Sequence, residues 1–180
     1  MRRSIFSLFC FVFCAGILTA GAQVVPSAYK QGLSLTAGGF ASAFQPDYAG
    51  RGVAETSPNR LYGYGAYVDA DFTRWVKIEA EGRWLNLNQY LGITENSYLI
   101  GPRLAAYHFG RFTPYGKALI GMGGGSFLNG HTTAIAYGGG LDYRLSRKFT
   151  ARADFEYQQW LVKPTLYPYG ISVGLAYKIF

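Results

Sequence analysis

The residues of this chain that could do chemistry are two alternating charged runs, two histidines and two glycine-rich stretches. The runs are Lys77-Ile-Glu79-Ala-Glu81-Gly-Arg83 and Arg152-Ala-Asp154-Phe-Glu156. Carboxylates paired like Glu79/Glu81 and Asp154/Glu156 could supply the acid and base of glycoside hydrolysis. Bases of the same parity lie beside them, however, so mutual ion pairing is the simpler use of both signs. His131-Thr132-Thr133 sets a hydroxyl next to an imidazole, but a nucleophilic pair also needs a carboxylate to orient the His, and no acidic residue is close in sequence. With two histidines, and Cys10 and Cys14 as the only cysteines, the chain offers no transition-metal ligand set. Gly121-x-Gly-Gly-Gly-Ser126 and Gly138-Gly-Gly140 lack the following Gly-Lys-Ser/Thr and helix of a phosphate-cradling loop. These glycines fit strand curvature and room for long side chains better.

The elements that carry these residues are strands. Glycine is frequent (24 of 180), aromatics make up 17% and charged residues only 15%. From Gly32 to Phe180 there are eight stretches of period-two character, at about 32–44, 61–72, 76–86, 97–108, 113–123, 132–145, 149–160 and 169–180. Their connections alternate. Those at 45–60, 87–96, 124–131 and 161–168 are long and carry Gly, Pro, Asn and Asp, whereas 73–75, 109–112 and 146–148 are tight. Strands of this length, joined alternately by short turns and long loops, are the pattern of an up-and-down barrel crossing a bacterial outer membrane, with turns facing the periplasm. Pro102 removes a ladder hydrogen bond from the fourth segment, where a closed barrel has no edge to hide it, so a bulge is expected there. The first and fifth segments are weakly amphipathic.

Charge keeps to one parity. In the third segment Val76, Ile78, Ala80, Gly82 and Trp84 alternate with Lys77, Glu79, Glu81 and Arg83. The seventh repeats the pattern, and the second and sixth set apolar residues against Asp69 and Asp71, and against Asp142 and Arg144. A soluble β-protein would bury the apolar face and wet the charged one; a membrane barrel inverts this. Parity alone does not separate the two, but charge balance favours inversion. With Arg103, Lys117 and Lys178 included, the charged parity holds seven bases (Lys77, Arg83, Arg103, Lys117, Arg144, Arg152, Lys178) and seven acids (Asp69, Asp71, Glu79, Glu81, Asp142, Asp154, Glu156). A narrow lumen needs such neutrality, because unpaired buried charge is costly. A one-residue slip would turn these residues outward. Four Lys or Arg side chains near the bilayer midplane would cost roughly 8–16 kcal/mol, comparable with the ~5–15 kcal/mol that holds a domain together.

The ends of the chain and of the strands agree with a membrane destination. Arg2-Arg3, an apolar run from Ile5 to Leu18 and Ala20-Gly21-Ala22 form the three parts of a secretory signal peptide, with cleavage expected after Ala22. Residues 23–180 would then form one barrel domain without cysteine. Trp84, Tyr98, Tyr62 and Tyr64 fall near loop ends, and Phe72, Trp75, Phe149 and Tyr177 near turn ends, as two interfacial belts would require. Lys30, Arg74, Arg111, Arg147 and Lys148 gather at the turn end, a distribution suited to anionic lipid headgroups. Export and the lack of a recognition module exclude nucleic acid.

Tyr98-Leu-Ile-Gly-Pro-Arg103, Tyr115-Gly-Lys117, Ala136-Tyr-Gly-Gly-Gly-Leu-Asp-Tyr-Arg144, Arg152-Ala-Asp-Phe-Glu-Tyr157 and the terminal Phe180 are phrases in which the chain resembles the small OmpA/OmpX-type outer-membrane β-barrel proteins. The resemblance covers most of residues 23–180. It implies an eight-stranded antiparallel barrel, inserted by the outer-membrane assembly machinery that reads a C-terminal strand ending in Phe. Lys178 stands where that signal usually has an aromatic, and Tyr177 lies one residue earlier. The expected role is structural or surface-interactive, with outer-membrane lipids as partners, an ion-paired lumen, no cofactor and no catalysis. Eight strands leave an interior that side chains fill. The outer loops, 45–60 above all, are then the expected contact surface. A narrow low-conductance channel is the alternative. A lipid-modifying enzyme is a more remote one, since His131-Thr132-Thr133 is only loosely similar to the His-x-Ser of lipid A deacylases.

Overall fold

The computed structural model describes residues 33–47, 60–88, 92–126, 128 and 130–180. The expected signal peptide, Lys30 and most of the 45–60 loop lie outside these residues. Eight strands run in order: β1 (Ser34–Gln45), β2 (Leu61–Asp71), β3 (Val76–Leu85), β4 (Glu95–Ala105), β5 (Phe112–Gly125), β6 (His131–Arg144), β7 (Phe149–Trp160) and β8 (Tyr169–Lys178). Each pairs antiparallel with its sequence neighbours, and β1 pairs with β8 to close the barrel. Closure gives every strand two partners, which removes the unpaired edge that lipid does not tolerate.

Two of the short turns are built alike. In the β2–β3 turn, Thr73 Oγ1 accepts from the backbone N–H groups of Trp75 and Val76. In the β6–β7 turn, Ser146 Oγ accepts from those of Lys148 and Phe149. A hydroxyl thus satisfies backbone donors that the tight reversal leaves unpaired. The β4–β5 connection differs from expectation. β4 stops at Ala105 rather than near residue 108, and Phe109 and Phe112 then exchange backbone hydrogen bonds around Gly110, at φ 61°. Only glycine adopts that conformation without cost.

The expected bulge at Pro102 is absent. Ile100 faces Ile120 and Arg103 faces Lys117, so both strands advance three residues and no extra residue is inserted. Pairing toward β3 is continuous, with Ile78 opposite Pro102. The missing donor interrupts the ladder toward β5 at one place and leaves the register intact. β8 is likewise regular to Lys178, opposite Thr36.

The apolar parity faces out. Val68, Ile100, Leu104, Ile120, Met122, Leu141, Ile171, Val173 and Leu175 are exposed, while Glu79, Arg103 and Glu156 are fully buried. Exposed aromatics gather at both ends of this apolar band. Trp84 packs between Tyr64 and Tyr98 at the loop end, its indole N–H donating to Tyr98 Oη at 2.9 Å. Phe149 packs on Tyr177, and Phe112 on Tyr143, at the turn end. Val173, 62% exposed near the middle of β8, reports on this orientation. Val173→Arg is expected to lower stability by about 2–4 kcal/mol, the midplane cost of a cation facing lipid. Urea titration in lipid vesicles measures it; a change within error would mean the position does not meet hydrocarbon.

Candidate functional site: the filled lumen

The inward faces are stratified, and β7 displays the order. From the turn end its inward residues are Arg152, Asp154, Glu156, Gln158 and Trp160, passing from charge through an amide to an indole. Trp160 Nε1 donates to Gln158 Oε1, and Gln158 Nε2 to Glu156 Oε1, each at 2.7 Å. The middle of the lumen is ionic, the loop-side end is mainly apolar around the buried Glu95 and Ser97, and the turn-side end is an open vestibule.

Four cations and six carboxylates make up the ionic layer: Arg83, Arg103, Lys117 and Arg152, with Asp69, Glu79, Glu81, Asp142, Asp154 and Glu156. Lys117 is the hub. Its Nζ lies 2.7 Å from Glu156, 2.8 Å from Glu81, 3.2 Å from Glu79 and 3.8 Å from Asp154. Arg152 reaches across the barrel to Asp69 at 2.6 Å and Glu79 at 2.7 Å, and holds Asp142 at 3.2 Å. Arg103 bonds to Asp142 and meets Asp69 at 3.4 Å, and Arg83 joins Glu81 at 2.6 Å to Glu156 at 3.2 Å. Charges brought so far from water are tolerated only when paired and hydrogen-bonded.

Each guanidinium also rests on an aromatic ring. Arg103 lies 3.7 Å from the Tyr115 centroid, Arg152 3.8 Å from that of Tyr67 and Arg83 4.1 Å from that of Phe44. These distances are cation–π contacts, and Tyr115 Oη donates to Asp154 at 3.1 Å. The rings fit because glycines face them. Gly38 opposes Tyr67, Gly65 opposes Phe40 and Gly170 opposes Phe44 in the ladder, and in each pair a Cβ on the glycine would strike the ring.

At the loop end, Leu99, Leu119, Ala134, Ala136, Trp160 and Leu166 form a buried cluster, with Leu128 and Val162 against it. Phe44, Leu61 and Leu85 form another, packed by Ile93. The indole of Trp160 lies over Gly123, whose hypothetical Cβ would stand 2.6 Å from it. Sequence reasoning did not find this seal. Trp160 shares the parity of Arg152, Asp154 and Glu156, which was the available signal, but an apolar residue on a charged parity carries no evident meaning by itself.

The sequence-derived set is placed as follows. Asp69, Glu79, Glu81, Arg83, Arg103, Lys117, Asp142, Arg152, Asp154 and Glu156 meet in the ionic layer. Asp71 and Lys77 pair separately at 2.9 Å near the turn-side mouth, with side chains 24% and 21% exposed. Arg144 and Lys178 do not join. Both are exposed near the ends of β6 and β8 and form no ion pair with a described residue. The anticipated balance of seven against seven is therefore corrected: the connected layer holds six acids and four bases, because shared parity does not ensure shared depth. His131 contacts no carboxylate among the described residues, and the Thr132 hydroxyl donates to the Leu161 carbonyl at 2.9 Å. No group of three or more His, Cys, Asp or Glu that could hold a metal ion occurs among the described residues.

A closed eight-stranded barrel, apolar outside and packed inside with ion pairs and aromatic rings, defines a transmembrane barrel protein of the small, filled kind. Over residues 10–178 the chain matches the outer membrane protein beta-barrel domain, and it belongs to that family. Among solved structures it is similar to Neisserial surface protein A, at 11% identity with TM-score 0.58, covering 81% of this chain and 96% of that one. It is also similar to the N-terminal β-barrel domain of Pseudomonas aeruginosa OprF, at 15% identity with TM-score 0.51, covering 81% and 100%. Ail, the attachment invasion locus protein of Yersinia pestis, is similar at 20% identity with TM-score 0.52, covering 82% and 97%. At these identities the likeness concerns the fold. No curated protein sequence matches the chain.

Proposed function

We infer that this protein is a sealed, non-conducting outer-membrane barrel that anchors and displays its long loops at the cell surface and performs no catalysis. The filled lumen carries the reading. An ionic layer and an apolar seal occupy successive depths, so a solute would have to break buried ion pairs and displace Trp160 in turn. Loops set on a rigid scaffold are where contacts are usually made, and the connection across residues 45–60 is the chief candidate. Residues 1–22 act as an export signal cleaved after Ala22, and the assembly machinery engages the strand ending at Phe180. Membrane lipids meet the outer wall, with anionic headgroups near the basic turns.

Planar-bilayer recordings of the refolded protein are expected to stay at the conductance of lipid alone. Discrete steps that shift with alteration of Arg152 or Lys117 would replace this reading with a narrow channel. Orientation is tested on intact cells: an epitope placed within residues 48–59 should be reached by antibody, and one placed in 146–148 should not. Mass spectrometry of the exported protein should find Gln23 at its amino terminus.

A further inference from the structure

We propose that the turn-side vestibule is a binding site for a phosphate group, held by Arg74, Arg111 and Arg144. The cavity there measures about 450 Å³ and opens into the mouth of the barrel. That volume lies within the usual ~300–1,000 Å³ of small-ligand sites. Its cations are Arg74, Lys77, Arg111 and Arg144, and its carboxylates are Asp71 and Asp142. Both carboxylates are already taken: Asp71 by Lys77, and Asp142 by Arg103 and Arg152 from the ionic layer beneath. Three arginines thus remain with no ion pair to a described residue. Arg111 and Arg144 are held side by side, because the Arg144 N–H donates to the Arg111 carbonyl at 2.9 Å, and both also line a second hollow with Arg147. Arg74 lies 4.9 Å from the Trp75 ring centroid, and Trp75 in turn stacks on His108. His108 Nδ1 meets Thr113 Oγ1 at 2.6 Å within the same wall.

Guanidinium groups from two turns and the end of β6 around one hollow fit an anion with several oxygens and close to two negative charges, which is the chemistry of a phosphate. Such a group could belong to a soluble phosphorylated molecule or to a lipid headgroup bent over the rim.

The test takes the full barrel refolded in phosphatidylcholine nanodiscs and titrates it calorimetrically with inorganic pyrophosphate. In parallel, nanodiscs doped with phosphatidic acid are analysed by native mass spectrometry for retained lipid. Saturable pyrophosphate binding that weakens at least about tenfold in R111Q/R144Q supports the site with a soluble source. Phosphatidic acid retained by the unaltered protein and lost from R111Q/R144Q supports it with a headgroup source. Arg60→Gln, at the loop end, should leave either signal unchanged. Neither probe binding, or binding that R111Q/R144Q leaves undiminished, overturns the proposal. A heat-dependent shift on a gel verifies that the double variant is folded, as expected for exposed residues without an ion pair to a described residue.

Discussion

Lys117→Met is expected to cost about 3–5 kcal/mol, the usual penalty for breaking a buried ion pair by removing one partner, and to deplete the compact, heat-modifiable form on an unboiled gel. The variant keeps length and flexibility but withdraws the one cation within 4 Å of all four of Glu79, Glu81, Asp154 and Glu156. Those carboxylates would then face one another at the barrel centre. Adding Glu156→Gln should recover part of the loss, since it removes one charge and keeps an acceptor for Gln158. Lys77→Met is the comparison. Its pair with Asp71 is partly exposed, so a change of only ~0–1 kcal/mol is expected. Equal effects of Lys117→Met and Lys77→Met in urea titrations would show that depth in the lumen has no energetic meaning.

Trp160→Ala should be almost as damaging, because truncating a buried Trp costs about 3–5 kcal/mol in lost contacts and residual cavity. It also strands Gln158 Oε1, which accepts from the indole at 2.7 Å. Fluorescence separates this residue from the other two tryptophans. Trp84 and Trp75 lie among the interfacial aromatics, whereas Trp160 is inside the barrel and 1% exposed. Brominated lipids should therefore quench the first two and spare Trp160. The quencher-resistant component should vanish in Trp160→Ala. Persistence of that component would place another tryptophan in the interior.

The contrast between strands explains how far the sequence could be read. β3 and β7 were legible because Lys77 to Arg83 and Arg152 to Glu156 put full charges on one parity and apolar side chains on the other. β1 and β5 were legible as strands but only weakly two-sided, for a physical reason: beside Ser42 and Lys117 their inward faces carry Phe40, Phe44, Tyr115 and Leu119, so apolar side chains stand on both sides of the strand. A lumen that turns from ionic to greasy along its axis erases the two-sided pattern in its greasy half. Depth was hidden in the same way. Arg144 shares parity with Asp142 but stands at the vestibule, and no periodicity distinguishes a residue at mid-height from one at the mouth. Pro102 misled in the opposite direction, since the loss of one donor is small beside the continuous pairing on its other side.

The bonds of Arg152 join β7 to β2 and β3, strands that are not neighbours in the ladder. Neighbouring strands supply some pairs, such as Lys77 with Asp71 and Arg152 with Asp142, but Asp69 and Glu79 meet Arg152 only across the lumen. Curling the ladder into a ring is therefore what completes these cross-barrel pairs and encloses them.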